Sequence, residues 1–388
     1  MRFVHRALEK TLLEAARRFA AVVVTGPRRA GKTTLLRRAF PGARYVLLED
    51  PDVRARAGSD PRALLEELKP PVLFDEIQNV PELFGYIRAM IDERPGRKGQ
   101  WLFTGSQEAP LMQGVSESMA GRAAVLELLP LSVAETRRVS LLDGGYPEVV
   151  ARPAGRDLWF SSYIQTYLER DVRSIVNVKD LTTFRRFLAL VASRHGQMVN
   201  RSDLAAPLGV SVPTVSEWLR VLEMTGQVLL VAPYFENFGK RLVKTPKVYW
   251  GDSGMACHLL GIRSVAELNR SPFLGALFEG QVAAEIVKSQ VGRGRRRELY
   301  YFRDQQGLEV DFLFPGEGGA VRMVECRAAK TVQPGMAKAL GTLRRAMGER
   351  VKAEMTVVHR GAGPGLARGL GEGVEALGFE EFAVGLGG

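Results

Sequence analysis

The chain has two cysteines and four histidines in 388 residues. Cys257 and Cys326 stand alone, without the paired spacing of a zinc ribbon, and the histidines are scattered, so no thiolate or imidazole metal cluster is expected. Two lone cysteines give no disulfide framework and point to a reducing compartment, which makes the cytoplasm the expected location. Long apolar runs are also missing. The longest near the start, Phe19 to Val24, is far short of a membrane span or a signal-peptide core. Acidic residues are outnumbered, with 43 Asp and Glu against 54 Lys and Arg, for a formal net charge of +11. That excess suits a polyanionic partner, most often nucleic acid, although an arginine-rich proteome also yields basic proteins without one.

The composition that remains, 46% hydrophobic and 25% charged, is that of a soluble globular protein. The chain is too long for one ordinary core, so two or three domains are expected.

The stretch 22–38 reads VVVTGPRRAGKTTLLRR. Val22, Val23 and Val24 form a short β-branched run, as in a buried parallel strand. Gly26 follows, then Pro27, Arg28, Arg29 and Ala30, then Gly31, Lys32, Thr33 and Thr34. This is the spacing of a phosphate-binding P-loop. Glycines let backbone amides turn inward around phosphates, Lys32 reaches the β- and γ-phosphates, and Thr33 sets its hydroxyl on Mg2+. The helix expected from Thr34 to Arg38 turns its N-terminus to the anion.

A second strand, Val72 to Phe74 in PPVLFDEIQNVP, ends in Asp75 and Glu76. Asp75 at a strand's carboxyl edge can hold Mg2+ through its water shell, and Glu76 can polarise the attacking water, the pattern of a Walker B element. A third strand, Trp101 to Phe103 in QWLFTGSQ, runs into Thr104, Gly105 and Ser106. A hydroxyl there, with Ser106 the candidate, can sense the γ-phosphate; a plain strand-to-loop turn is the other reading. Arg122, after Gly121, either caps local carbonyls or projects into a neighbouring subunit's site as a finger.

The segments GPRRAGKTTLL, LFDEIQNVP, LFTGSQ, AGR, GGYPEVV and YIQTYLERDV, in this order, resemble a family of bacterial and archaeal AAA-type ATPases. The resemblance implies a multidomain α/β chain: a P-loop AAA-type ATPase domain, a winged-helix domain and a C-terminal restriction-endonuclease-like α/β domain. The boundaries expected are 1–175, with a helical extension from about 135, then 176–265 and 266–388. It further implies ATP and Mg2+ as cofactors and a homo-oligomer, often a hexameric ring, with Arg170 or Arg173 as a second sensor.

Residues 181–225 read as three helices, the last two a helix-turn-helix. Phe184, Phe187, Leu188 and Val191 line the first at helical spacing. Ser202 and Asp203 start the second, Gly209 sits at the turn, Ser211 caps the third and Pro213 suits its first turn. Val215, Trp218, Leu219 and Leu222 form the third helix's buried face. Two strand-like runs follow around a loop carrying Lys240, Arg241, Lys244 and Lys247, where a wing could grip phosphates. The third helix's polar face, Thr214, Ser216, Glu217 and Arg220, is poorly suited to reading bases, so any DNA contact is expected to be sequence-independent. A rigid lid or protein dock is the other reading.

In the C-terminal part, Glu279 lies on a helix, Glu309 and Asp311 on a strand, and Glu325 on a third strand. Carboxylates from a helix and two strands are what a Mg2+-dependent nuclease needs, and Glu279, Asp311 and Glu325 form a possible second metal site. Such nucleases end the third strand in Glu-x-Lys, whereas this chain has Glu325-Cys326-Arg327; arginine cannot relay a proton, and Lys330 stands a turn further on. The alternative is a nuclease fold retained to bind DNA or to assemble the ring. Arg295, Arg296 and Arg297 form a basic loop, either gripping phosphate or simply solvated. The Gly-rich tail reads as turns, a short helix and a last strand-like run. The function expected is ATP hydrolysis that moves or remodels DNA, by translocation or junction branch migration. Its alternatives are an ATP-gated switch with a protein partner and a nuclease coupled to the ATPase.

Overall fold

A computed structural model describes residues 3–105, 118–168, 180–234, 245–348, 351–361, 370–371 and 373–387. The chain divides into two compact units, one built on residues up to 131 and the other on those from 132 onward, with two short later segments, 224–226 and 291–296, joining the first.

The first unit runs α1 (Leu8–Arg18), β1 (Ala21–Thr25), α2 (Lys32–Ala39), β2 (Arg44–Leu47), α3 (Pro51–Ser59), α4 (Pro61–Glu67), β3 (Val72–Asp75), α5 (Leu83–Glu93), β4 (Trp101–Thr104) and β5 (Ala123–Glu127). The strands pair in parallel in the order β2-β3-β4-β1-β5. Parallel strands are covered on both faces, so both sets of alternating side chains must be apolar. Val23, Phe74 and Phe103 face one side, packed with Ile77, Phe84 and Ile87. Val22, Val24, Leu73 and Leu102 face the other, against Leu8 and Leu12 of α1 and Leu35 and Leu36 of α2. The rings of Phe74 and Phe103 stack 5.9 Å apart and lock β3 to β4. Short helices begin where the sequence provides for it. Asp50 accepts N–H bonds from Asp52 and Val53 ahead of Pro51, and Asp60 accepts one from Ala63 ahead of Pro61. Such caps are worth about 1 kcal/mol each. All strands point the same way, so the ends of β1, β3 and β4 open on one edge of the sheet, the edge where ligands bind in open α/β folds.

The second unit runs α6 (Pro147–Ala151), α7 (Arg156–Tyr163), α8 (Leu181–Ser193), β6 (Gln197–Met198), α9 (Arg201–Ala205), α10 (Val212–Met224), β7 (Val228–Pro233), β8 (Lys247–Trp250), α11 (Ser253–Leu259), α12 (Val265–Arg270), α13 (Leu274–Gly292), β9 (Tyr300–Arg303), β10 (Glu309–Pro315), β11 (Val321–Arg327), α14 (Lys338–Met347), β12 (Ala353–His359), β13 (Val374–Gly378) and α15 (Phe379–Gly385). Helices α8 to α10 are the three expected, with α9 and α10 the helix-turn-helix pair. Asn200 caps α9, which begins at Arg201. Pro207 stands in a 3-10 turn after α9 has ended, so it breaks no α-helical bond. Gly209 takes the left-handed conformation at φ 65°, and the Ser211 hydroxyl accepts the N–H of Thr214 at 3.2 Å. Trp218 packs edge-on to Phe184 with ring centres 5.3 Å apart, joining α10 to α8.

The hairpin of β7 and β8 is not free-standing. Ala232 and Pro233 of β7 pair in parallel with Tyr300 and Tyr301 of β9. The result is one mixed eight-stranded sheet, ordered β13-β12-β11-β10-β9-β7-β8-β6. Among the described residues of the tail, β13 is followed by α15. Glu380 and Glu381 occupy the first turn of α15, and Phe382 and Ala383 are buried on one face.

His195, at the end of α8, is buried and takes the N–H of Trp250 on Nδ1 at 3.1 Å, which leaves the ring hydrogen on Nε2. A Cβ at Gly280 of α13 would lie 2.0 Å from that Nε2, so glycine is required there. Burial holds the imidazole pKa down to about 3. The unfolded chain protonates this residue near pH 6.5 and the folded chain does not, so its contribution is full above pH 6.5 and is lost as pH falls toward 3. In acid titrations of unfolding free energy, His195→Gln is expected to flatten the slope between pH 6 and 3, with a cumulative difference of about 4 kcal/mol. An unchanged slope would show that His195 does not set the acid limit.

Candidate functional site

The loop after β1 is shaped by close approach. Gly26 has φ 129°, and a Cβ there would lie 2.2 Å from the carbonyl oxygen of Leu128. Gly31 takes φ 99° as the residue capping α2, and Arg29 between them is also left-handed at φ 63°. Lys32 is 5% exposed and folds back on the loop, donating to the carbonyl oxygens of Gly26 at 2.9 Å and Pro27 at 3.0 Å. Pro27 and Ala30 are buried, Arg28 is half-buried and Arg29 is exposed. Thr34 lies one position past Thr33 in the first turn of α2.

Asp75 ends β3 and is 5% exposed. Its Oδ1 accepts the hydroxyl of Thr33 at 2.8 Å and also the hydroxyl of Thr104 at the end of β4, while Oδ2 accepts the hydroxyl of Tyr45 of β2 at 2.7 Å. Burial, then the hydrogen bond to Asp75, pushes the Tyr45 phenol well up, so it stays a donor. Glu76 takes a left-handed conformation, φ 57° and ψ 51°, uncommon for a residue with a Cβ. Its N–H donates to the Thr104 hydroxyl at 3.1 Å, the Asn79 amide donates to its carbonyl oxygen at 3.0 Å, and the Gln78 amide donates to its carboxylate. Thr33 and Asp75 offer hard oxygen donors at the mouth of the loop, the type Mg2+ takes beside a bound phosphate, so the residues fit that cation.

Two side chains complete this unit's polar framework without any local sequence signal. Arg6 is buried and donates to the carbonyl oxygens of Ala30 at 2.8 Å and Leu129 at 2.6 Å, clamping the loop from below. Tyr45 is the other. Ser106, the expected sensor, lies outside the described residues, as do Arg170, Arg173, Lys240, Arg241 and Lys244. Arg122 precedes β5, at the sheet edge opposite the loop. It pairs with Asp92 of α5 through two bonds, of 2.6 and 2.9 Å, and donates to the carbonyl of Ala120 at 3.1 Å. The hydrogen bond from Arg122 lowers the Asp92 pKa.

In the second unit, Lys247 is the largest correction. It does not reach out to phosphates: it is 3% exposed, and its ammonium lies 3.0 Å from Glu279 Oε1 and 2.6 Å from Glu309 Oε1. Burial disfavours its charge, but Glu279, Asp311 and Glu309 outweigh that and raise its pKa. The Tyr249 hydroxyl also donates to Glu279, Arg327 donates to Glu325, and the Cys326 N–H donates to Asp311 Oδ2 at 2.8 Å. Burial, with Glu279 and Glu325 adding to it, drives the Asp311 carboxyl well up. Burial pushes Glu325 up to about 7 against the pull of Arg327. Among the described residues no group of three or more His, Cys, Asp or Glu is arranged to hold a metal ion. Lys330 is exposed. Arg295 and Arg296 are exposed, and Arg297 is half-buried with its charge acting on Glu223. Among the described residues no helix is long and apolar enough to cross a membrane.

Residues 18–137 match a family described as an AAA domain, and two domains of unknown function, DUF8612 and DUF4143, match residues 135–266 and 274–370. The uncharacterized proteins Rv2008c of Mycobacterium tuberculosis and Mb2031c of Mycobacterium bovis are each 34% identical over 307 residues, 77% of this chain and 68% of theirs. Among solved structures, the Walker-type ATPase PABY2304 of Pyrococcus abyssi is 17% identical, with a TM-score of 0.42 over 65% of this chain and 94% of that one.

The Gly26 contact yields a test. Gly26→Ala is expected to cost roughly 3 kcal/mol or more, from the left-handed backbone and the Leu128 carbonyl together, and to abolish nucleotide binding. Thermal melting and titration with a fluorescent ATP analogue read the two effects, and wild-type affinity would show that the loop is not the binding element.

Proposed function

The chain belongs to the family of Rv2008c and Mb2031c, and from that premise we propose that its AAA-type P-loop ATPase domain hydrolyses ATP with Mg2+ to move or remodel DNA, as a ring of several copies. The observation that carries the catalytic half is the single carboxylate of Asp75, shared by the hydroxyls of Thr33 and Thr104, with the backbone of Glu76 hung from Thr104.

The glycines and loop amides, with the N-terminus of α2, receive the phosphates, and Lys32 exchanges the carbonyls of Gly26 and Pro27 for phosphate oxygens. Mg2+, held by Thr33 and Asp75, neutralises phosphate charge when bound. Glu76 then accepts a proton from the attacking water, its carboxylate aimed by the Gln78 amide. Thr104 bonds both the metal-binding carboxylate and the backbone of the base, so the two shift together. Arg122 lies a full strand length from its own loop, which suits service to a neighbour's site and supports the ring, hexameric in this reading.

DNA as the partner rests on the net charge of +11 and on the helix-turn-helix. Contact is sequence-independent in this reading. A second reading, an ATP-gated switch with a protein partner, is favoured by one observation: Arg220, the single basic residue of α10, is paired with Glu217 at 3.0 Å on the same helix.

Glu76→Gln is expected to lower ATP turnover by about 100-fold or more while keeping ATP bound. Wild-type turnover is expected to rise with added single-stranded, duplex or four-way DNA, and the trapped variant to hold DNA and ring together. Turnover that ignores all three DNA forms, with no DNA bound by the trapped variant at low salt, would remove DNA as the partner and leave the switch.

A further inference from the structure

The acidic cluster of the second unit already contains a cation. Lys247 enters from β8 and meets Glu279 of α13 and Glu309 of β10, and its ammonium also lies 5.3 Å over the ring of Tyr301 on β9. Other donors reach the same acids: Tyr249 shares Glu279 Oε1 with Lys247, Arg303 lies 3.2 Å from Glu309, the Cys326 N–H donates to Asp311 Oδ2 and Arg327 to Glu325 Oε1, while Glu325 Oε2 is buried without a partner. Four carboxylates therefore face three fixed cations, Lys247, Arg303 and Arg327. A divalent ion entering here would sit a few ångströms from a buried ammonium, with little solvent between them to screen the repulsion.

We propose that Lys247 permanently takes the place of a divalent cation in this cluster, which makes the cluster an ionic tie between hairpin strand β8 and the sheet of β9 to β13 and not a metal-dependent nuclease centre. The arrangement explains two features at once. Glu-x-Lys has become Glu325-Cys326-Arg327, whose arginine is spent on Glu325. The lysine charge comes instead from a strand of the helix-turn-helix segment, across the β7–β9 pairing, so the tie spans the seam that joins the two parts of the sheet. Removing Lys247 would leave the half-buried Glu279 without its cation and Glu309 with Arg303 alone, whereas removing it together with them would not.

The test uses the full chain with Asp75→Ala, so that the ATP site contributes no metal, titrated with Mn2+ by electron paramagnetic resonance. No saturable binding below millimolar Mn2+ is expected, and no cleavage of single-stranded or duplex DNA with Mg2+ or Mn2+. Lys247→Met is expected to lower the Tm of the second unit by roughly 10 °C, Lys247→Arg to lower it much less, and the triple change Lys247→Met, Glu279→Gln, Glu309→Gln to recover most of the loss. Saturable Mn2+ binding by the Asp75→Ala chain that Asp311→Asn abolishes would overturn the proposal. So would a Lys247→Met chain that melts with the wild type. Should that variant fail to fold, the Mn2+ titration decides alone.

Discussion

A buried carboxylate loses most of its hydration and must recover it from donors placed by the fold. Asp75 meets this demand with three hydroxyls from three different elements: Thr33 of α2, Thr104 of β4 and Tyr45 of β2. Hydrogen bonds to a charged group contribute about 1.5–3 kcal/mol each, and an unmet buried one costs more. One side chain therefore registers the phosphate loop, the central strands and the sheet edge against each other. The rest of the site follows from that registration. Glu76 is drawn into a left-handed turn because its N–H must reach the Thr104 hydroxyl, and that turn throws its carboxylate toward Gln78.

The second unit solves the same problem by different means, and the difference separates a site that can exchange ligands from one that cannot. Around Asp75 the donors are neutral hydroxyls. A hydroxyl can trade a carboxylate for a cation and accept instead of donate, so the cluster tolerates an arriving divalent ion. Around Glu279 and Glu309 an ammonium of fixed charge stands beside the Tyr249 hydroxyl and the Arg303 guanidinium, its charge held up by the neighbouring acids. No rotation of Lys247 turns it into a ligand. Two acid clusters on one chain thus have opposite uses, decided by whether the partner carries charge.

How much of this was legible depends on distance along the chain. Gly26, Gly31, Lys32 and Thr33 are contiguous, and Asp75 and Glu76 follow an apolar run, so their chemistry can be read from local pattern. Arg6 and Tyr45 carry no such pattern: Arg6 reaches Leu129 across 123 positions, and Tyr45 reaches Asp75 across 30. Lys247 misled for the same reason. It follows a basic run, which reads as a phosphate-gripping wing, but its direction was set by carboxylates on α13 and β10. The parallel pairing of β7 with β9 left no trace either, being two residues long and made by backbone atoms.

Under the proposed ring, Arg122 would be a group held ready for a site that its own chain does not contain. Its bidentate bond to Asp92 fixes the plane of the guanidinium, and the carbonyl of Ala120 takes a third hydrogen. Both partners are substantially exposed, so water and salt screen the pair and it adds little to the fold. A bond that stabilises so little is also readily given up. A phosphate brought by a neighbouring subunit offers the same planar fork of oxygens with more negative charge, and it can take the guanidinium over without disturbing β5 or α5. Under the proposed ring, the pair would keep the arginine oriented between turnovers, and assembly, not folding of the single chain, would complete the hydrolytic site.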